Sequence, residues 1–152
     1  MTRKPRYVKP DAVKELERLA DSAARKKYPT MPVKYMAPRK FRDDTSNSLT
    51  TCITTYLKLK GAFVSRLNNT GIYDRKTGRY RPGTNRKGLP DVMATYQGKS
   101  IFIEVKTGRD RLSQAQQQIQ QEHEGSGGVY FIARNFTEFK QWLDSYEEKR
   151  NK

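Results

Sequence analysis

The stretch Gly88–Lys106, "GLPDVMATYQGKSIFIEVK", contains two apolar runs joined at Gln97-Gly98, with a carboxylate towards each end. Side chains on a strand alternate between faces. Ile101, Ile103 and Val105 therefore share one face, and Phe102, Glu104 and Lys106 share the other. A two-residue turn at Gln97-Gly98 pairs Tyr96 with Lys99 and, counted back along both strands, Asp91 with Glu104. Directly opposed residues point to the same face, with Cβ atoms about 4.5–5.5 Å apart. Two carboxylates and a lysine thus converge at one end of a hairpin.

Opposed like charges destabilise a sheet unless something compensates them. A divalent cation does so, and hard oxygen ligands favour Mg²⁺ or Mn²⁺, which keep several waters and accept substrate phosphate oxygens. The backbone carbonyl of Val105 is a further candidate ligand beside Asp91 and Glu104. A water on such a metal has a lowered pKa, and Lys106 is placed to orient it or help deprotonate it. The competing reading is a solvated sheet face, in which Pro-Asp starts a strand and Glu-x-Lys faces water.

Charge is distributed unevenly. The chain of 152 residues has 31 Lys/Arg and 16 Asp/Glu, a formal net charge of +15. Residues 91–152 hold nine of each sign, so the entire excess lies in the first 90 residues. A half this basic calls for a polyanionic partner, and nucleic acid is the commonest. An anionic membrane surface is the other candidate. However, no apolar run is long enough to span a bilayer, and Arg3, Lys4 and Arg6 are followed by no apolar block of a signal peptide. The single cysteine, Cys52, excludes a disulfide framework or a Cys-based zinc site within the chain and fits a reducing, cytoplasmic setting. A hydrophobic fraction of 34% and mean hydropathy of -0.97 mean that only part of the chain supplies the core.

Residues 1–45 read as a basic arm and helix, and residues 46–152 as a mixed α/β domain. The first helix is expected over 11–27, with Asp11 as cap and Val13, Leu16, Leu19, Ala20 and Ala23 at helical spacing. A basic, Pro-containing linker follows, with Tyr28, Tyr35 and Phe41. The second helix is expected over 47–60, capped by Ser46 or Asn47 and ended by Gly61. A strand at 62–69 follows it. Residues 72–81 read as a β-hairpin with Lys76-Thr77-Gly78 near its turn, and 82–90 as a loop. Beyond the strands at 91–96 and 100–107 come a helix at 112–124 capped by Ser113, a buried strand at 129–133 and a terminal helix at 137–150. The order from Asn47 is α-β-(hairpin)-β-β-α-β-α.

Asp91 after Pro90, followed by Glu104-Val105-Lys106, resembles the PD…(D/E)xK signature of the restriction-endonuclease-like nucleases. The run from Leu57 to Leu143 is similar to the VRR-NUC family in particular. Its first helix ends "YLKLKG" (56–61), followed by a strand with Arg66 and Asn68, then Gly88, Pro90, Asp91, Glu104, Lys106, Leu112, Ser113 and Gln116 in order. The resemblance covers roughly residues 46–145. It implies a mixed central sheet flanked by helices, with Asp91 and Glu104 ligating Mg²⁺ or Mn²⁺. Lys106 would be the catalytic lysine, and Gln116 would support the site or contact the phosphate. It also implies metal-dependent cleavage of branched or otherwise structured DNA. Small stand-alone members, often phage-encoded, resemble Holliday-junction resolvases of recombination and repair and act as homodimers. One departure stands out: the family usually has a Glu at the start of its first core helix, where this chain reads Thr45-Ser46-Asn47-Ser48. Asp43 or Asp44 is the candidate replacement.

Before Asp91, the cations Arg75, Lys76, Arg79, Arg81, Arg86 and Lys87 alternate with Tyr73 and Tyr80. They read as a ribbon lying on DNA, with cations on phosphates and tyrosines stacked on unpaired bases. The bland alternative is a solvated hairpin. Arg3, Lys4, Arg6 and Lys9 form either a phosphate-tracking arm or a disordered tail. His123, the single histidine, reads as a surface residue and Cys52 as core. Two other functions compete with the nuclease: a catalytically inactive nucleic-acid-binding protein on the same fold, supported by the missing helix Glu, and a basic RNA-binding protein without a metal site. The last leaves the opposed Asp91 and Glu104 unexplained.

Overall fold

A computed structural model describes residues 3–67, 72–81 and 86–152. Asn68 and residues 82–85 of the expected loop lie outside the described residues. Helix α1 spans Asp11–Lys27, α2 Ser46–Leu59, α3 Gln114–Gly125 and α4 Phe136–Arg150. The strands are β1 (Phe63–Arg66), β2 (Ile72–Asp74), β3 (Arg79–Arg81), β4 (Val92–Tyr96), β5 (Lys99–Val105) and β6 (Val129–Ala133). This is the expected α-β-(hairpin)-β-β-α-β-α order preceded by a helix. A 3₁₀ turn at Val33–Tyr35 lies in the linker.

The central sheet has the order β1-β4-β5-β6. It is mixed: β1, β4 and β5 run antiparallel, and β6 is parallel to β5 after the α3 crossover. Gln97 and Gly98 both have positive φ (49° and 78°), as a type I′ turn requires, and they set Tyr96 opposite Lys99. Strands β2 and β3 form a separate two-stranded sheet with Tyr73 opposite Tyr80.

Alternation divides the central sheet into two faces. Val92, Ala94, Tyr96, Ile101, Ile103, Val105 and Ala133 are buried on one of them. Helices α2 and α4 cover this face, and Leu49, Cys52, Ile53, Tyr56 and Leu57 present the i, i+3, i+4 stripe that α2 needs to do so. Val13 and Leu16 of α1, both fully buried, belong to the same core cluster as Leu49, Ile53 and Phe136. The opposite face carries Phe102, Glu104 and Lys106 and lies under α3.

Several local expectations shift. Asp11 is the first residue of α1, behind Pro10, and makes no cap hydrogen bond; it acts on the helix dipole instead. Leu19, expected on the buried stripe, is 39% exposed. Helix α2 is capped one residue earlier than expected, by Thr45 in a capping box with Ser48. It ends in a Schellman pattern, Ala62 N–H to Leu57 O and Gly61 N–H to Lys58 O (both 3.0 Å), with Gly61 at φ +82°. Strand β6 is half-buried except at Ala133, because it forms the sheet edge and has a strand neighbour on one side only.

Candidate active site

The ladder between β4 and β5 runs back to Val92 opposite Ile103. Asp91 immediately precedes Val92 and Glu104 immediately follows Ile103, so the two carboxylates flank the last pair of this ladder, and the charge of Asp91 acts on Glu104. Three hydrogen bonds, two between backbone groups and one to a side chain, tie together the segments at this end of the sheet. Leu67 N–H donates to Asp91 O (2.8 Å), the Asp91 carboxylate accepts from Val105 N–H (2.8 Å), and Lys106 N–H donates to Ala133 O (2.9 Å). Asp91 is thereby held rigidly between β1 and β5.

The approach to Asp91 is clamped to α3. Gly88 has φ +88°, and a Cβ built there would lie 2.6 Å from the backbone carbonyl carbon and oxygen of Ala115. Both the left-handed conformation and the close approach require glycine. Arg86 binds Glu122 of α3 through both terminal guanidinium nitrogens (2.6 Å each).

Glu104 is 4% exposed. Its Oε1 accepts from Gln116 Nε2 (2.8 Å) and lies 3.6 Å from Lys106 Nζ. Its Oε2 is buried with no hydrogen-bond partner among the described residues. Burial, and then the charge of Asp91, push Glu104 up to about 7, with Lys106 opposing the rise. Gln116 also closes the α3 capping box, because its amide oxygen accepts from Ser113 N–H (2.9 Å). The four residues Asp91, Glu104, Lys106 and Gln116 thus form one cluster, with Val105 between Glu104 and Lys106 in sequence and its N–H bonded to the Asp91 carboxylate.

Sequence reading missed Tyr130. In the parallel register it stands opposite Phe102, and Glu104 is opposite Ile132, so Tyr130 shares the Glu104 face. Its hydroxyl is buried without a hydrogen-bond partner among the described residues. Burial raises its pKa, and the charges of Glu104 and Asp91 add to the rise, so it retains its proton. The signal was the alternation within "VYFIA", which becomes informative only once β6 is known to pair with β5.

These donors fit a hydrated hard cation. Among the described residues no group of three Asp, Glu, His or Cys is placed to hold a metal, so a closed protein cage is not built here. Two carboxylates, one with a buried unpartnered oxygen, are the complement that Mg²⁺ uses when waters and substrate phosphate complete its shell.

The α2 N-terminus adjoins this cluster: Ser46 Oγ lies 3.5 Å from Thr107 Oγ1. Neither candidate replacement for the family's Glu is free there. Asp43 is buried, accepting from Tyr7 OH (2.8 Å) and Phe136 N–H (3.1 Å), and Asp44 binds Arg42 (2.6 Å). Hydroxyls occupy the region instead.

The expected nucleic-acid residues separate into groups. Tyr73 and Tyr80 are 57% and 63% exposed, and Arg75, Lys76, Arg79 and Lys87 are also exposed. Arg81 pairs with Asp74 (3.0 Å) and Arg86 with Glu122. Arg66 is exposed at the end of β1 opposite Val92, which places it on the other face from Asp91. His123, expected at the surface, is only partly exposed. It is half-buried and stacked on Phe102 (3.6 Å between centroids, 3° interplanar), with Nε2 2.9 Å from Ser100 Oγ, and burial lowers its pKa.

No protein family's sequence profile matches the chain, and no curated protein matches it. Among solved structures a VRR_NUC domain is similar, with a TM-score of 0.50 and 17% identity, covering 66% of this chain and 96% of that domain. The chain therefore has the fold of a VRR_NUC domain: a mixed central sheet flanked by helices. No helix among the described residues is long and apolar enough to cross a membrane.

Proposed function

We propose that this chain is a metal-dependent, structure-specific DNA endonuclease that hydrolyses phosphodiester bonds in branched DNA such as Holliday junctions. The observation that carries this reading is the buried Glu104 carboxylate, close enough to Asp91 to feel its charge, ordered by Gln116 and Lys106, with one oxygen unpartnered among the described residues. Asp91, Glu104 and the Val105 carbonyl would hold Mg²⁺ or Mn²⁺. When bound, the metal supplies a water of lowered pKa and offsets phosphate charge. Val105 N–H fixes the Asp91 rotamer, and Gln116 fixes that of Glu104. Lys106 presents its ammonium to the reacting phosphate and the attacking water. Tyr73 and Tyr80 stack on unpaired bases, while Arg75, Lys76, Arg79, Arg81, Arg86, Lys87 and Arg66 meet phosphates, Arg81 and Arg86 by exchanging their carboxylate partners. Symmetric nicking of a four-way junction needs two sites, hence two copies of the chain.

A second reading is a catalytically weak or inactive nucleic-acid-binding protein. The hydroxyl-lined α2 N-terminus, without a carboxylate, favours it.

The deciding experiment is cleavage of labelled four-way junction, flap, duplex and single-stranded DNA in Mg²⁺, Mn²⁺ or EDTA, with Glu104→Gln alongside. Metal-dependent cutting that the variant lacks is the expected result. Tight binding without cutting in either metal would overturn the first reading in favour of the second.

A further inference from the structure

The linker between α1 and α2 is built as a wall. Arg39 N–H donates to the Asp21 carboxylate (2.8 Å) and Phe41 N–H to the Glu17 carboxylate (2.9 Å). These acids are one turn apart on α1, so two backbone bonds hold the linker along that helix. Between this wall, the last turns of α1 and the second half of α2 lies a cleft of about 640 Å³. Sites for small ligands span roughly 300–1,000 Å³.

Phe41, Leu59 and the alanines of α1 give the cleft apolar walls, and Lys27, Arg39 and Lys58 give it three cations. No acidic residue lines it. None of these three side chains forms an ion pair among the described residues. Tyr28 also lines the cleft, 47% exposed, with the Lys27 ammonium 5.2 Å from its ring centroid. Residues 25–42 around it include seven Lys/Arg and no Asp/Glu.

Unpaired cations spaced around an apolar recess with an exposed aromatic ring suit a flat apolar group with an anion on either side. That is a nucleotide within a single strand, whose base stacks and whose phosphates meet Lys and Arg. Duplex bases are already stacked and paired, and an acidic peptide leaves the recess and the ring unused. We propose that this cleft binds an unpaired nucleotide of a single-stranded nucleic acid, its base against Tyr28 and its flanking phosphates on Lys27, Arg39 and Lys58. The cleft is distinct from the carboxylate cluster. Ser46 adjoins Thr107, whereas Lys58 lies twelve residues further along α2, about 18 Å of helix rise. Binding here does not depend on whether the distant cluster cuts.

The test uses the full chain in EDTA, with binding of labelled oligothymidylate and of a blunt duplex followed by anisotropy. Tyr28→Ala is expected to weaken oligothymidylate binding about tenfold, from the usual worth of base–aromatic stacking, and to leave duplex binding unchanged. Arg39→Ala with Lys58→Ala should flatten the salt dependence by about 1.4 units of slope for the single strand. Lys149→Ala with Lys152→Ala, the same change in charge, should not. Crosslinking with 5-iodouracil should map to Tyr28. Unchanged oligothymidylate affinity in Tyr28→Ala, equal loss for duplex, or displacement of the oligonucleotide by oligoglutamate at matched charge would each overturn the proposal. Thermal melting of each variant separates these outcomes from loss of fold.

Discussion

The Gln116 amide nitrogen donates to Glu104 Oε1 while its oxygen accepts from Ser113 N–H. One side chain thus closes the first turn of α3 and orients a buried carboxylate, so helix start and site geometry are coupled. Gln116→Ala removes both bonds. It should cost on the order of 1 kcal/mol of stability and raise the Mg²⁺ concentration needed for cleavage about tenfold. Gln116→Glu keeps an acceptor for Ser113 but sets a third negative charge against Glu104, so it should be worse. A metal titration of cleavage unchanged in both variants would remove Gln116 from the site.

Glu104 supplies a pH prediction that needs no DNA. Burial and Asp91 raise its pKa from 4.5 to about 7, so the fold favours the protonated acid. Its contribution to stability is fully present below about pH 4.5. As pH rises the unfolded chain ionises first, and the contribution is gone above about pH 7. The interval corresponds to a loss of about 3 kcal/mol between pH 4 and pH 8. In EDTA, Glu104→Gln should melt higher than the native chain at pH 8 and with little difference at pH 4. Equal melting at pH 8 would mean that the carboxylate is adequately solvated or paired.

How far the site was legible follows from what sets each contact. Asp91 and Glu104 could be opposed on paper because strand alternation and a two-residue turn fix register without tertiary information. Gln116 on α3 came from the resemblance. Tyr130 was hidden because its place depends on β6 returning parallel to β5, a consequence of the α3 crossover rather than of local pattern. The Phe102–His123 stack was invisible for the same reason. So was the Arg86–Glu122 pair, which joins residues 36 positions apart. Periodicity marks the N-terminal segment as a helix, but its seat in the same core as α2 and α4 rests on side-chain packing of Val13 and Leu16, which periodicity alone does not direct to any one partner.

Tyr130 carries a donor that meets no acceptor among the described residues. Leaving a buried hydroxyl unpaired costs about 1–3 kcal/mol. Tyr130→Phe should therefore leave the chain as stable or more so. If the hydroxyl serves substrate, by donating to a phosphate oxygen or an ordered water, cleavage should slow about tenfold in a variant that melts no lower. Full activity in Tyr130→Phe would mark the hydroxyl as merely tolerated.

The β2–β3 hairpin projects Tyr73 and Tyr80 side by side, with Arg79 exposed and Arg81 tied to Asp74. Neutralising Arg79 and Arg81 should weaken DNA binding and flatten its salt dependence by roughly one unit of slope for each phosphate left without its cation. Arg79→Ala alone should show most of this effect, because Arg81 already has a carboxylate partner. An unchanged slope in the double variant would make the hairpin a solvated loop.

Gly88 and Gly61 share a positive φ, +88° and +82°, but differ in surroundings. At Gly61 a Cβ would meet nothing within 4 Å, so Gly61→Ala bears only the left-handed backbone strain, roughly 1–2 kcal/mol. At Gly88 the same strain is joined by a contact 2.6 Å from the Ala115 backbone, which cannot rotate away as a side chain would. Gly88→Ala must push the loop off α3, and Asp91 lies three residues further along that loop. The two substitutions should therefore separate stability from activity. Gly61→Ala should lower the melting temperature while retaining cleavage below it. Gly88→Ala should lose cleavage even at temperatures where circular dichroism reports a folded chain. Matched losses in both variants would mean that the α3 clamp does not position Asp91.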